Sequence, residues 1–189
     1  MTPEEIRKSN EAVLRRDWST EFIKTMKNKS QGIITWSDEF VEKMQKSILL
    51  SHEKYGWMSK TYPELAQAIK CAAERVVAYQ KTHNKDYLID IANFAMIEYM
   101  YPSGKKAHFY KTTFTACDPS DNLACMADRL QSYLDMENKL YLVDLAAYAM
   151  QEYVNPSYDD AHYTPGDSDK STGLAGGISY KQMMEDMQS

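Results

Sequence analysis

At 189 residues the chain has room for one domain, or two small ones, at roughly 100–200 residues each. Its 43% hydrophobic and 26% charged residues exclude a wholly disordered, collagenous or membrane-bundle chain. A net charge of −5, from 22 basic and 27 acidic residues, argues against a DNA-backbone binder, which needs a basic face, and is too mild for a nucleic-acid mimic.

The first elements in chain order are helical. Residues 1–16 alternate charges in a helix-like pattern without an apolar h-region, which predicts a helix over 3–16 and neither export nor membrane insertion. Ser37-Asp38-Glu39 opens an amphipathic helix with Phe40, Met44, Ile48 and Leu49 on one side, closing at Gly56. The only strand-like run is the short Gly32-Ile33-Ile34-Thr35-Trp36. Thr61-x-x-Glu64 reads as a capping box with Pro63 in the first turn, so a helix is expected over 63–81. Asn84 then caps a second helix that stops near Tyr101, before Pro102. Further on, Asp118-Pro119 opens one helix, Asn138 caps the next, and Asn155-Pro156 ends it. Four glycines (Gly166, Gly173, Gly176, Gly177) fall between Thr164 and Ser179, marking a flexible segment before a short terminal helix over 181–187. Three cysteines (Cys71, Cys117, Cys125) form no CxxC pair and have no histidine at finger-like spacing. Neither a disulfide framework nor a zinc site is expected, and a reduced, cytoplasmic chain is the default.

The dominant feature is a repeat. Residues 71–103 align without a gap to 125–157 at an offset of 54, identical at 16 of 33 positions, and the match resumes at Ala107-His108-Phe109 against Ala161-His162-Tyr163. Such self-similarity indicates a duplicated supersecondary unit. The expected fold is all-α: helical hairpins over 61–110 and 115–164 form a pseudo-twofold four-helix bundle, with additional N-terminal helices outside it. The domain spans 1–163, and 164–189 is a tail.

The second helix of each hairpin is apolar on nearly every side. In the first copy Asp90 and Asn93 interrupt it; in the second only Asp144 does. A helix without a polar face is buried, so each aspartate needs a partner inside the protein. In a hairpin turning near residue 83, Arg75 and Asp90 both lie roughly 11 Å up the bundle at about 1.5 Å per residue; Arg129 and Asp144 share that geometry. The pairs either fix helix register or line a polar cavity between the hairpins, joined by Glu74, Asp128, Asn93, Glu98 and Glu152. Acids there suit a divalent metal, with Glu74, Asp90 and Glu98 as its ligands, and arginines suit a phosphate. His108 and His162 either meet a phosphate or anchor their loops. Tyr79 and Tyr133 either stack on a base or fill the core. The stretch 166–173 lacks the P-loop order of glycine and lysine and is either a phosphate lid or a plain tail.

Lys54-Tyr55-Gly56, a Glu/Arg helix with Tyr79, Asn84, and Leu88-Ile89-Asp90-Ile91-Ala92-Asn93-Phe94-Ala95 together resemble phage-borne MazG-like proteins of the all-α nucleoside-triphosphate pyrophosphohydrolase class. The resemblance covers about 36–102, with a second pass to 162. It implies four acidic or amide groups holding Mg²⁺ against a triphosphate. Asp90-x-x-Asn93 matches the second half of that set, whereas Cys71-x-x-Glu74 lacks one carboxylate. The second copy, Cys125-x-x-Asp128 and Asp144-x-x-Ala147, lacks two groups.

The leading expectation is therefore a protein that sequesters a nucleotide or nucleotide-derived signal, as a phage anti-defence protein would. Its ligand contacts would come from Arg75, Tyr79, Asp90, Asn93, His108, Arg129, Tyr133, Asp144 and His162. The alternatives are a Mg²⁺-dependent pyrophosphohydrolase and a non-enzymatic interaction or inhibitor protein. Neither a nucleic-acid nor a membrane partner is expected, and a homo-oligomer is left open. Asp90→Ala and Arg75→Ala should each cost more than about 2 kcal/mol of stability if the pair is buried; thermal melts coinciding with wild type would put the acid in water.

Overall fold

The computed structural model describes residues 1–166; the expected tail beyond Gly166 and its terminal helix lie outside the described residues. Among these, eight α-helices and no strands occur. The N-terminal helices are α1 (Pro3–Asp17), α2 (Thr20–Ser30), α3 (Asp38–Tyr55) and the single turn α4 (Met58–Thr61). The repeats supply α5 (Ala68–Thr82), α6 (Asp86–Met100), α7 (Asn122–Met136) and α8 (Leu140–Val154). Among the described residues no helix is long and apolar enough to cross a membrane.

α6 and α8 pack against each other at the centre, α5 lies on α6 and α7 on α8. Outside this core α2 covers α8, α3 covers α6, and α1 rests on α3. The all-apolar character of the two central helices is the cause: every residue from Leu142 to Tyr153 is buried, as is nearly all of α6. Capping decides the helix starts nearby. Thr2 and Glu5 form a reciprocal capping box on α1. The Ser19 and Ser37 hydroxyls each accept the N–H three residues on, from Phe22 and Phe40, at 3.0 Å. Gly56 ends α3 with φ +80°, a conformation that favours glycine.

Several boundaries differ from the sequence expectation. Thr61 closes α4 instead of capping α5, and its carbonyl accepts from the Leu65 and Ala66 N–H groups at 3.0 Å. The chain through Pro63 is extended at Tyr62, as the residue before proline prefers, so α5 starts at Ala68 and not at 63. α2 was not foreseen, because its apolar positions are sparse among lysines. Residues 32–36 form a turn and an extended connection, not a strand. Residues 164–166 also stay on the core: Asn84 bonds Thr164 through both its side-chain atoms, and the Gly166 N–H donates to Asp86.

The expectation of a fully reduced chain is corrected by a Cys117–Cys125 disulfide, with Cα atoms 6.8 Å apart. Asp118 folds the chain back through a short 3-10 turn (Pro119–Asp121), its carboxylate accepting from Ser120 N–H and its carbonyl from Asp121 N–H. That turn lays Cys117 against the start of α7, a proximity that an eight-residue separation hides. Cys71, the counterpart of Cys125, is a buried thiol.

Each hairpin turn is held by the loop that follows the other hairpin. His162 accepts from Lys85 N–H and donates to the His83 carbonyl, while His108 accepts from Lys139 N–H and donates to the Glu137 carbonyl. Asn84 and Asn138 repeat the exchange through their side chains, to Thr164 and Tyr110. The same asparagines also accept from the first N–H groups of α6 and α8. Both turns pass through left-handed residues, His83 at φ 58° and Glu137 at φ 55°. His83 stacks on Tyr158; at the matching place the Glu137 side chain crosses the space that a Cβ on Gly104 would occupy. Protein purified without reductant and then denatured should expose one reactive thiol per chain; three would show that Cys117 and Cys125 do not pair.

Candidate functional site

The two aspartates of the central helices meet the arginines that equal distance from the turn selects. Arg75 Nε lies 3.1 Å from Asp90 Oδ2, and Arg129 Nε lies 3.2 Å from Asp144 Oδ2. The Arg75 guanidinium also sits over the Phe94 ring, and Arg129 over Tyr148. The pairs match in geometry and differ in surroundings. The Asp144 side chain is 1% exposed, whereas that of Asp90 is 15% exposed.

Asp144 is closed off. Its Oδ1 lies 2.7 Å from Lys29 Nζ of α2, and that ammonium also donates to Thr112 at 2.6 Å. Arg129 reaches Asp128 at 2.5 Å. Burial raises the Asp144 pKa above the ordinary aspartate value, opposed by Lys29 and then Arg129.

Asp90 borders a hollow of about 60 Å³ between α3, α4 and α6. Asp17, Ser47, His52 and Asn93 line its polar part, and Ile48, Met58, Phe94 and Ile97 line the rest. Two buried acceptors there have no hydrogen-bond partner. One is Asp17 Oδ1, whose sister oxygen accepts from Met58 N–H at 3.2 Å. The other is Asn93 Oδ1, whose amide donates to the Met44 carbonyl at 3.1 Å. Burial pushes the Asp17 carboxyl upward against the pull of Met58 N–H and His52.

The cavity expected between the two hairpins does not unite the pairs: one faces α3 and the hollow, the other faces α2. Glu98 and Glu152 serve elsewhere. Each accepts from the backbone N–H and the hydroxyl of the serine five residues on, Ser103 or Ser157. Glu152 also accepts from Tyr79 of the other hairpin at 2.7 Å, and Tyr133 faces Glu98 in the reciprocal arrangement. Tyr79 and Tyr133 are thus core side chains whose hydroxyls titrate above the ordinary tyrosine value through burial. The His108 and His162 imidazoles are exposed and bond within their own loops, at the Lys106 and Asp160 carbonyls. Glu74 Oε2 is buried without a hydrogen-bond partner.

Among the described residues no group of three or more His, Cys, Asp or Glu side chains could hold a metal ion. Asp90 is engaged by Arg75 and Glu98 by Ser103.

A second repeat, missed in the sequence reading, organises the site. Trp18-Ser19-Thr20-Glu21-Phe22-Ile23-Lys24-Thr25-Met26 matches Trp36-Ser37-Asp38-Glu39-Phe40-Val41-Glu42-Lys43-Met44 at an offset of 18. Phe22 packs edge-on against Tyr99 at 5.2 Å and Phe40 against Tyr153 at 5.3 Å. The Tyr99 hydroxyl donates to Glu21, and that of Tyr153 to Glu39. In this register Lys29 of α2 corresponds to Ser47 of α3. The Trp-Ser-x-Glu-Phe recurrence was the available signal.

No protein family, curated protein or solved structure matches the chain. The helical architecture agrees with the all-α class that the sequence resemblance implies. Burial raises the Glu98 pKa against the pull of Ser103 and Tyr133, so folding takes up protons at this group and its contribution to stability falls as pH rises above the ordinary glutamate value. The stability of wild type relative to Glu98→Gln should therefore decline in urea melts as pH rises above the ordinary glutamate value of about 4.5; a flat difference would mean that Glu98 is not desolvated.

Proposed function

We propose that this chain is a binding protein without turnover, and that its ligand is a small molecule held in the hollow beside Asp90. The observation that carries the reading is the pair of buried, unpartnered acceptors, Asp17 Oδ1 and Asn93 Oδ1, lining that hollow. Leaving such groups unsatisfied costs about 1–3 kcal/mol each, and a bound ligand recovers it.

The architecture supporting this reading is a pseudo-twofold core of two copied hairpins, each covered by one copy of the Trp-Ser-x-Glu-Phe helix. The reciprocal loop exchange and the matched Asp–Arg pairs support that description. The two halves differ in what faces the aspartate: Lys29 of α2 at Asp144 and the hollow at Asp90.

A whole nucleotide is a poor occupant of this hollow. About 60 Å³ is far below the roughly 300–1,000 Å³ of ordinary ligand pockets, and carboxylate and amide oxygens repel phosphate. Hydrolysis is disfavoured by the engaged acids. The test is a thermal-shift screen across nucleoside triphosphates, cyclic nucleotides, ADP-ribose compounds and small unphosphorylated metabolites. At a hundred times Kd a ligand adds about 2.7 kcal/mol, a rise of roughly 5–10 °C for a chain of this size. We expect that rise from a small unphosphorylated compound, its loss when a leucine replaces Ser51, which also lines the hollow (Ser51→Leu), and no pyrophosphate release from triphosphates with Mg²⁺. A screen without any response, or measurable turnover, overturns the reading.

A further inference from the structure

We propose that the Cys117–Cys125 bridge is a reversible thiol–disulfide exchange site, a clasp whose reduction by a dithiol releases the strap 111–117 from over the Asp144 cluster. The strap runs from the loop at His108 to the 3-10 turn and carries no regular secondary structure. Side chains of the helices beneath hold it. Lys29 Nζ donates to Thr112 Oγ1 at 2.6 Å, the Tyr148 hydroxyl to the Thr115 carbonyl at 2.6 Å, and Gln151 Nε2 to the Cys117 carbonyl at 3.1 Å. Phe114, 4% exposed, lies on the Tyr148 ring with centroids 4.8 Å apart. Two of these anchors belong to the cluster itself. Lys29 meets Asp144 Oδ1, and the Tyr148 hydroxyl accepts from Arg129, which meets Asp144 Oδ2. The strap therefore covers that cluster, and the bridge fastens its end to α7.

The two copies fasten this stretch by different means. At the 54-residue offset Cys125 corresponds to Cys71, but Cys117 falls on Pro63. In the first copy the stretch is α4 and the bend after it, held by its own backbone. The Tyr62 N–H donates to the Met58 carbonyl at 2.7 Å, and the Leu65 and Ala66 N–H groups donate to the Thr61 carbonyl at 3.0 Å. In the second copy a covalent link stands where those backbone bonds would be. A segment without regular structure, held by a few side-chain hydrogen bonds and one ring, opens readily, so the closed state depends on the bridge. Both bridge cysteines are half-buried, whereas Cys71 is fully enclosed; an external thiolate reaches the bridge and not Cys71. In the exchange, one thiolate of the dithiol attacks a bridge sulfur, forms a mixed disulfide and expels the other cysteine, which takes a proton. The second thiol of the reductant then displaces the remaining cysteine, so the dithiol is oxidised to its own disulfide and Cys117 and Cys125 are both left as thiols.

The experiment oxidises the full chain with glutathione disulfide and then treats it, still folded, with dithiothreitol. Iodoacetamide labelling read by mass spectrometry should leave Cys117 and Cys125 unmodified before reduction and modify both after it, with Cys71 unmodified in either state. Hydrogen exchange in peptides spanning 111–117 should speed up by roughly ten- to a hundredfold on reduction, the factor that chain entropy assigns to freeing a loop closed over a sequence separation of 8. Exchange in α6 and α8 should not change. Lys29 should be acetylated faster in the reduced protein by an N-hydroxysuccinimide ester, with the exposed Lys54 as the unchanged reference. Cys117→Ser combined with Cys125→Ser should behave as the reduced protein without any reductant; if that variant does not fold, the reduced wild type still decides. A bridge that does not form with glutathione disulfide, or that resists dithiothreitol until the protein unfolds, overturns the proposal. Equal exchange at 111–117 in the two states overturns it too, as does a rise shared by α6 and α8, which would make the bridge a staple of the whole fold.

Discussion

A carboxylate in the middle of a helix with no wet face must be neutralised from a neighbouring element, and the centre of this protein is arranged around that requirement. Taking an ion out of water costs several kcal/mol even after relaxation, comparable with the 5–15 kcal/mol by which a domain is stable at all. α6 and α8 each carry such an acid, and each is met at the same height by an arginine from the preceding helix. That match fixes how α5 lies along α6 and α7 along α8. A slip by one turn would move the guanidinium about 5.4 Å and leave both charges unpaired.

Two further buried acids join the halves. Glu98 and Glu152 receive the chain where it leaves α6 and α8, through Ser103 and Ser157. Glu152 also takes the Tyr79 hydroxyl from the opposite hairpin, and Tyr133 faces Glu98. Loops 106–110 and 160–164 then cross over to pair with the opposite turns. The halves are thus interlocked, and neither hairpin keeps its turn satisfied alone. The metal-binding role considered for Glu98 gives way to this one because both its oxygens already accept from Ser103.

What was legible in the sequence follows the strength of each signal. The central helices were readable because an unbroken apolar surface has few other solutions, and the Asp–Arg pairing because hairpin geometry leaves little choice of partner. α2 was harder: Phe22 and Met26 are fully buried, but its other positions read as a charged surface, and Lys29 belongs to the core only because Asp144 lies beneath it. The start of α5 was misread since Thr61-x-x-Glu64 satisfies the local capping pattern while the chain before it was already helical. The disulfide depends on a 3-10 turn that brings residues 117 and 125 together, a tertiary fact with no periodic trace. The hollow was invisible for a related reason: its lining comes from α1, α3, α4 and α6, and no local pattern marks their convergence.

The difference between Lys29 and Ser47 separates stability from function in physical terms. A tethered ammonium loses little entropy on meeting its carboxylate, since the helix already holds it nearby, so Lys29 closes the Asp144 half at modest cost. The Asp90 half keeps the arginine but places Asn93 where the other copy has Ala147, and it borders Asp17, of which one oxygen accepts from Met58 N–H and the other has no hydrogen-bond partner. Each leaves one buried oxygen, Asn93 Oδ1 or Asp17 Oδ1, without a hydrogen-bond donor, which destabilises the empty protein. Such a site persists where its use outweighs its cost, the trade-off that makes binding sites weak points of a fold. If the hollow were only imperfect packing, its lining would be apolar, as unused cavities in proteins are. Instead the carboxylates of Asp17 and Asp90 and the amide of Asn93 stand among its lining residues beside Ile48, Met58, Phe94 and Ile97.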